Sequence, residues 1–186
     1  LTYYIRKNTK PEKKIQLRLV VNAGSVLEQP DQQGLAHMME HMNFNGSTHF
    51  KKNELVSYLQ SIGVQFGADL NAYTGFDETV YILPIPSDDP VKVDKGFTIL
   101  EDWAGNASLD TTEINKERGV VLEESRLGKG ANERMRNKYF PELFNGSAYA
   151  TRLPIGKDSI IENFNASSLS RFYKTWYRPD LIAVIF

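Results

Sequence analysis

The most informative stretch of the sequence is Gly34-Leu35-Ala36-His37-Met38-Met39-Glu40-His41-Met42-Asn43-Phe44, which contains two of the three histidines in the chain. His37 and His41 stand four residues apart, so on a helix both imidazoles lie on one face, one turn apart. Glu40 follows His37 by three residues and projects beside the same spot. The spacing predicts a metal site carried by one rigid helix. The alternative is a pair of surface histidines on an amphipathic helix.

The composition is that of an ordinary globular domain. The 186 residues are 41% apolar and 24% charged, with a formal net charge of −1, which gives no support for a nucleic-acid or acidic-membrane partner. No uninterrupted apolar run approaches the roughly 18 residues of a membrane span. The chain has no cysteine, so any metal must be held by histidine and carboxylate, and either redox compartment is compatible.

Both ends of the sequence read as strands rather than as termini. Leu1–Ile5 is a strand-like run with no signal peptide before it, and Leu181–Phe186 is a hydrophobic run that stops at the last residue. We therefore expect residues 1–186 to form a single domain that is truncated at both ends.

The periodicity of apolar residues predicts alternating pairs of strands and helices, hence an α+β domain with a mainly antiparallel sheet packed with helices. The expected strands are Thr2–Lys7, Ile15–Val21, Val64–Asn71, Glu78–Pro84 and Leu181–Phe186. The third and fourth should form a hairpin around Gly75-Phe76-Asp77, with Phe66, Leu70 and Tyr81 in the core. Beyond the histidine helix, helices are expected after Asn53, from Pro90 with Phe97 inside, from Asp110 toward Leu127, over Ala131–Leu143 broken by Pro141, and after Asn165.

The caps of two of these helices can also be predicted. Asn53 is a good N-cap for the helix that follows it. Asp110 and Glu113 stand at the N-cap and N3 positions of a capping box, which opens the long acidic helix.

A catalytic zinc site needs a third protein ligand, which must be a carboxylate or His49. The acidic helix offers the better candidates, which are Glu113, Glu117, Glu123 and Glu124. At about 100° per residue, Glu117 and Glu124 fall within roughly 20° of each other, two turns apart, whereas Glu123 lies about 120° from Glu117. One of this pair would bind metal while the other orients a histidine or the substrate. A solvated acidic face is the alternative.

The order His-x-x-Glu-His is the inverse of the zincin motif. Together with Asn71-Ala72-Tyr73-Thr74 and the segment from Glu117 to Glu124, it resembles the pitrilysin/insulinase family of zinc metallopeptidases, and within it the large periplasmic pitrilysin-like proteases of bacteria. The resemblance runs over essentially the whole chain. It implies the N-terminal metal-binding peptidase domain of a larger protease, one half of a clamshell whose second homologous half is absent from this chain.

Carried over by position, the resemblance implies that His37 and His41 bind Zn²⁺ with Glu124 as the third ligand. Glu40 matches the general base of the family, and Glu117 matches its accessory catalytic glutamate. The function implied is a zinc-dependent endopeptidase, in which metal-activated water hydrolyses a peptide bond.

A peptide or small protein substrate is expected to add to an edge strand ending at Asn71. The resemblance implies contacts from Asn71 and Ala72, with Phe44 near a side-chain pocket, although core packing explains Phe44 equally well. The other class of function is a non-catalytic scaffold or a zinc-stabilised binding domain of a larger assembly. Export, to the periplasm or elsewhere, is expected, and a cytoplasmic location stays open.

Overall fold

The strands form a mixed sheet in the computed structural model, which describes residues 1–65, 67 and 69–186. Within these residues there are five strands: Thr2–Tyr4 (β1), Lys14–Val21 (β2), Asn71–Thr74 (β3), Thr79–Pro86 (β4) and Ile182–Ile185 (β5). Their order is β1-β5-β2-β4-β3, and every neighbouring pair is antiparallel except β1 with β5. The α+β class and the mainly antiparallel sheet are thereby confirmed.

The helices pack against this sheet and against one another. They span Leu35–Met42 (α1), Glu54–Ser61 (α2), Pro90–Gly105 (α3), Thr111–Gly128 (α4), Ala131–Leu143 (α5), Asp158–Asn163 (α6) and Ala166–Trp176 (α7). Short 3₁₀ turns lie at Ser25–Leu27, Pro30–Gln32, Ala148–Ala150 and Pro179–Leu181. In the part of the chain that is described, no helix has both the length and the apolar character needed to cross a membrane.

The core lies between the sheet and the histidine helix. Along β2, Leu17, Leu19 and Val21 are at most 1% exposed while the residues between them face outward or are half-buried, as the alternation predicts. The methionines at positions 38, 39 and 42 of α1 are fully buried. They fix which face of α1 points inward, so the opposite face presents the histidines.

The prediction of a strand over Val64–Asn71 is wrong, because β3 begins at Asn71 and runs to Thr74. Before it the chain turns: Gly63 and Gly67 have φ of 85° and 84°, a conformation that interrupts a strand. The Asp69 carboxylate accepts a hydrogen bond from the Gln65 N–H at 3.0 Å. This local bond takes the place of a backbone hydrogen bond between strands. The hairpin and the edge position of β3 are as expected, but Phe66 lies outside the described residues.

The predicted caps of α2 and α4 are only partly observed. Asn53 stands at the N-cap of α2, but its φ is 67° and its side chain makes no capping bond. Asp110 caps α4 as expected, accepting from the N–H groups of Thr112 and Glu113. The Glu113 side chain pairs with two lysines instead of completing the capping box.

Aromatic packing explains why the break predicted at Pro141 does not occur and α5 continues to Leu143. The ring of Phe140 stacks edge-on against Phe144 at 5.1 Å between centroids and lies 6.4 Å from Phe76 at the hairpin turn. Contacts of this kind offset the missing N–H of proline.

The prediction that Phe97 lies on the inner side of α3 is wrong. Its side chain is 36% exposed and packs on the ring of Phe186.

Candidate metal centre

The N-terminus of α1 is fixed by a buried carboxylate. Gly34 has φ of 102° at the N-cap, and its N–H donates to the Glu28 carboxylate at 3.0 Å, as does the Ala36 N–H at 2.8 Å. Glu28 is 3% exposed. Burial raises its pKa to about 8, opposed by these backbone hydrogen bonds and by Arg152. The sequence prediction missed Glu28, whose signal is only an acidic residue in the loop before a helix start.

Three donor atoms converge on the outer face of α1. His37 Nε2 and His41 Nε2 lie 3.2 Å apart, with their rings perpendicular. Glu124 of α4 brings Oε2 to 3.4 Å from the first of these nitrogens and 3.6 Å from the second. In the described part of the chain, these three residues are the group whose donor atoms lie close enough to share an ion.

The distances between these donors fit a tetrahedral metal. With metal–ligand bonds of about 2.0–2.1 Å and tetrahedral angles, two ligand atoms should stand about 3.3 Å apart. The three observed separations, 3.2, 3.4 and 3.6 Å, lie around that value. Two imidazoles and one carboxylate are also a donor set that zinc accepts in sites with an open fourth position. The residues therefore suit Zn²⁺ without rearrangement of the backbone.

The electrostatic surroundings favour a neutral His37. Burial, reinforced by neighbouring His41, lowers the pKa of His37 to about 4, so at neutral pH its ring nitrogen is free to bind a metal. Its other nitrogen, Nδ1, is buried without a hydrogen-bond partner among the described residues.

Glu117 and Asn45 orient His41. Glu117 Oε1 lies 2.8 Å from His41 Nδ1, and Asn45 Nδ2 donates to Glu117 Oε2 at 2.9 Å. A carboxylate bound to Nδ1 keeps the proton there and leaves Nε2 as the metal-facing lone pair. Burial acts to lower the pKa of His41, but the Glu117 bond and nearby carboxylates hold it above its ordinary value. Asn45 was not among the predicted site residues.

Glu40 extends from α1 toward strand β3. Its Oε2 accepts a hydrogen bond from the Thr74 hydroxyl at 2.5 Å. Burial raises the pKa of Glu40, while Thr74 and His41 act in the opposite direction. A half-buried carboxylate with a raised pKa next to a candidate metal site has the properties required of a general base.

An open cleft of about 570 Å³ contains all eight predicted site residues. They are His37, Glu40, His41, Phe44, Asn71, Ala72, Glu117 and Glu124. Asn45, Asn53 and Val56 complete the lining. Phe44 also packs its ring against Trp103 and Tyr81, with centroids 5.3 and 6.2 Å apart, so it belongs to the core as well as to the cleft wall.

The other candidate ligands are occupied elsewhere. His49 Nδ1 binds the buried Asp102 carboxylate at 2.8 Å. Glu123 pairs with Arg126, one turn along the same helix. Glu113 pairs with two lysines. None of the three joins the group of His37, His41 and Glu124 in the described structure.

The fold is an α+β domain, and two histidines and one carboxylate that could hold a single metal ion meet in the lining of one cleft. The chain belongs to the insulinase family, peptidase family M16, whose family model matches residues 3–149. It is 40% identical to the probable zinc protease PqqL of Haemophilus influenzae, in an alignment that covers all of this chain and 20% of that protein. It is 39% identical to the zinc protease PQQL-like of Arabidopsis thaliana, over all of this chain and 19% of that protein.

A solved structure matches the fold over nearly the whole chain. It is the first half of the periplasmic protease PqqL from Escherichia coli, with a TM-score of 0.93 and 32% identity over 98% of this chain and 39% of that one. The chain thus spans about a fifth of the length of the curated relatives it matches.

Proposed function

We propose that this chain is the N-terminal catalytic domain of a zinc-dependent endopeptidase. The observation that carries the proposal is the convergence of His37 Nε2, His41 Nε2 and Glu124 Oε2, at separations of 3.2 to 3.6 Å, at the base of a cleft. Membership of a peptidase family and the zinc protease names of its relatives support it. His37, His41 and Glu124 would hold Zn²⁺.

Zinc, when bound, would polarise the scissile carbonyl and lower the pKa of a water molecule toward neutrality. Glu40 then accepts the proton of the attacking water and returns it to the leaving amine. Glu40 lines the same cleft as His37, His41 and Glu124, so its carboxylate can reach a water molecule beside these ligands.

Glu117 would contribute without reaching the reacting atoms. Its carboxylate holds the Nδ1 proton of His41, which fixes the ring in the orientation that a metal needs. In this role Glu117 tunes the ligand strength of His41, and the loss of Glu117 would weaken metal binding.

The substrate would bind as an added strand along β3. This strand lies at the edge of the sheet beside the cleft, and an edge strand offers unpaired backbone groups to an extended peptide. Asn71 and Ala72 line the cleft and would supply contacts to that peptide. Phe44 would limit the size of a side chain that enters between α1 and β3.

We also propose that the domain acts within a longer protein. Its structural match is one half of a protease, so a second half would close over the cleft. Since that match is described as periplasmic, we propose an exported location for this protein too. The 186-residue chain by itself should bind zinc but cleave peptides poorly.

The test is Glu40→Gln in the full-length protein, with zinc content and peptide hydrolysis measured on the same preparation. We expect zinc content equal to that of the wild type and hydrolysis lowered by at least about 100-fold, the usual scale of general acid–base catalysis. Hydrolysis at the wild-type rate would refute the role of Glu40. Bound zinc without turnover in the wild-type protein would favour a zinc-stabilised binding domain instead.

A further inference from the structure

We propose that Thr74 is a positioning residue, which orients the Glu40 carboxylate by donating a hydrogen bond to Oε2. The inference rests on the proposed function, because it concerns how the general base of that reaction is held. It adds a residue from strand β3 to the proposed metal ligands and catalytic glutamates, which lie on α1 and α4.

The hydrogen bond uses one oxygen of the base and leaves the other available. Thr74 Oγ1 lies 2.5 Å from Glu40 Oε2, within the range of hydroxyl–carboxylate bonds. A carboxylate can only accept, so the threonine hydroxyl is the donor. Among the hydrogen bonds of the described residues, this is the one made by the Glu40 side chain. Oε1 is therefore the oxygen left to accept a proton from the attacking water.

The backbone holds Thr74 in place for this task. It is the last residue of β3 and pairs with Thr79 of β4, and the hairpin is closed by a hydrogen bond from the Gly75 N–H to the Glu78 carbonyl at 2.7 Å. In β3, Asn71 and Tyr73 are exposed whereas Ala72 and Thr74 are half-buried. Strand alternation therefore directs the Thr74 hydroxyl to the side on which α1 packs.

The Thr74 side chain itself has little rotational freedom. Threonine is branched at Cβ, so few χ1 rotamers are accessible and the hydroxyl keeps its direction. The carboxylate of Glu40, by contrast, lies at the end of a long side chain on a helix. An unanchored Glu40 would sample several rotamers, and only some of them would present an oxygen to the water.

A purely structural role is the competing explanation, and the opposite strand provides its control. Thr79 faces Thr74 across the hairpin, and its hydroxyl donates to the Ala23 carbonyl at 2.9 Å in a fully buried position. Thr79→Val removes a hydroxyl and a hydrogen bond from the same hairpin without touching Glu40. It should lower the melting temperature and leave kcat within about twofold of the wild type.

The experiment measures kcat, KM and zinc content for the full-length protein with a quenched fluorescent peptide. Thr74→Val keeps the shape of the side chain and removes the donor, so we expect kcat to fall by about 10- to 100-fold, part of the contribution of a general base. KM and zinc content should stay within about twofold. Thr74→Ser, which restores the hydroxyl, should recover most of the loss.

Thr74→Ala provides the same comparison if the valine variant does not fold. A kcat within twofold of the wild type in the variants that lack the hydroxyl would overturn the proposal. So would an equal loss in Thr79→Val, or a loss that comes with reduced zinc content. Glu40→Gln, assayed alongside, distinguishes the two proposals: its full activity would refute the role of Glu40 as the general base, whereas its inactivity together with a fully active Thr74→Val would refute the positioning role alone.

Discussion

Replacing Glu28 should destabilise the protein more than any surface substitution, because this residue secures the start of the metal-binding helix. Its carboxylate accepts hydrogen bonds from the N–H groups of Gly34 and Ala36, at 3.0 and 2.8 Å, in a site with 3% exposure. In Glu28→Ala both N–H groups stay buried without an acceptor. Each such group costs about 1–3 kcal/mol, so we expect a loss of about 2–6 kcal/mol in the free energy of unfolding.

Glu28→Gln separates the hydrogen bonds from the charge, since an amide oxygen still accepts. Burial raises the pKa of Glu28 from 4.5 to about 8 in the folded protein, so between these pH values the folded state binds the extra proton. The stability that Glu28 contributes is therefore fully present below about pH 4.5 and is lost as the pH rises toward 8. Relative to Glu28→Gln, the wild type should lose up to about 1.4 kcal/mol per pH unit in this window.

The assay is urea denaturation of the wild type and both variants at several pH values between 5 and 8.5, followed by tryptophan fluorescence. Trp103 is a suitable reporter, because it is 1% exposed and its indole N–H donates to the Asn43 carbonyl at the end of α1. A Glu28→Ala variant within 0.5 kcal/mol of the wild type, on the scale of surface changes, would refute the reasoning. A stability difference between wild type and Glu28→Gln that does not change with pH would refute its electrostatic part.

Asn45→Ala should weaken zinc binding about tenfold in a chelator competition, because Glu117 loses the amide that donates to its Oε2. Unchanged zinc affinity would mean that the Glu117 carboxylate is held in place without Asn45. His49→Ala should keep full zinc content while lowering the melting temperature, because the His49 ring binds the Asp102 carboxylate on α3. Loss of zinc from this variant would show that His49 is a metal ligand. Gly34→Ala should cost about 1–3 kcal/mol in urea denaturation, since its φ is 102° and a Cβ would stand 2.6 Å from an isoleucine of α6. Gly119→Ala on α4, with open space at that position, is the matched control and should be neutral or stabilising.

Local patterns were sufficient to predict most of the fold and which side chains meet at the candidate site, whereas the choice of Glu124 as the third ligand came from the family resemblance and stays a prediction. The spacing of His37, Glu40 and His41 needs only one helical turn to become an arrangement in space. The same holds for Glu117 and Glu124, which the geometry of a single long helix places on one stripe. Each of these arrangements lies within a single helix, so the sequence alone is enough to predict it.

The remaining features depend on contacts between distant parts of the chain. Glu28 and Thr74 act through hydrogen bonds to α1 that no spacing in the sequence records. The start of β3 was misplaced because Asp69 and two glycines with positive φ form a turn inside a run that reads as a strand. Likewise α5 continues through Pro141 because the tertiary contact of Phe140 with Phe76 at the hairpin turn outweighs a local helix breaker.

Zinc-edge anomalous scattering from crystals of the zinc-loaded protein tests the central claim most directly. The proposed ligand set predicts one strong peak at bonding distance, about 2.0–2.2 Å, from His37 Nε2, His41 Nε2 and a carboxylate oxygen of Glu124. Glu117 should remain on His41 Nδ1 and outside the coordination sphere. A peak bound by Glu117 in place of Glu124, or a peak away from the two histidines, would contradict it.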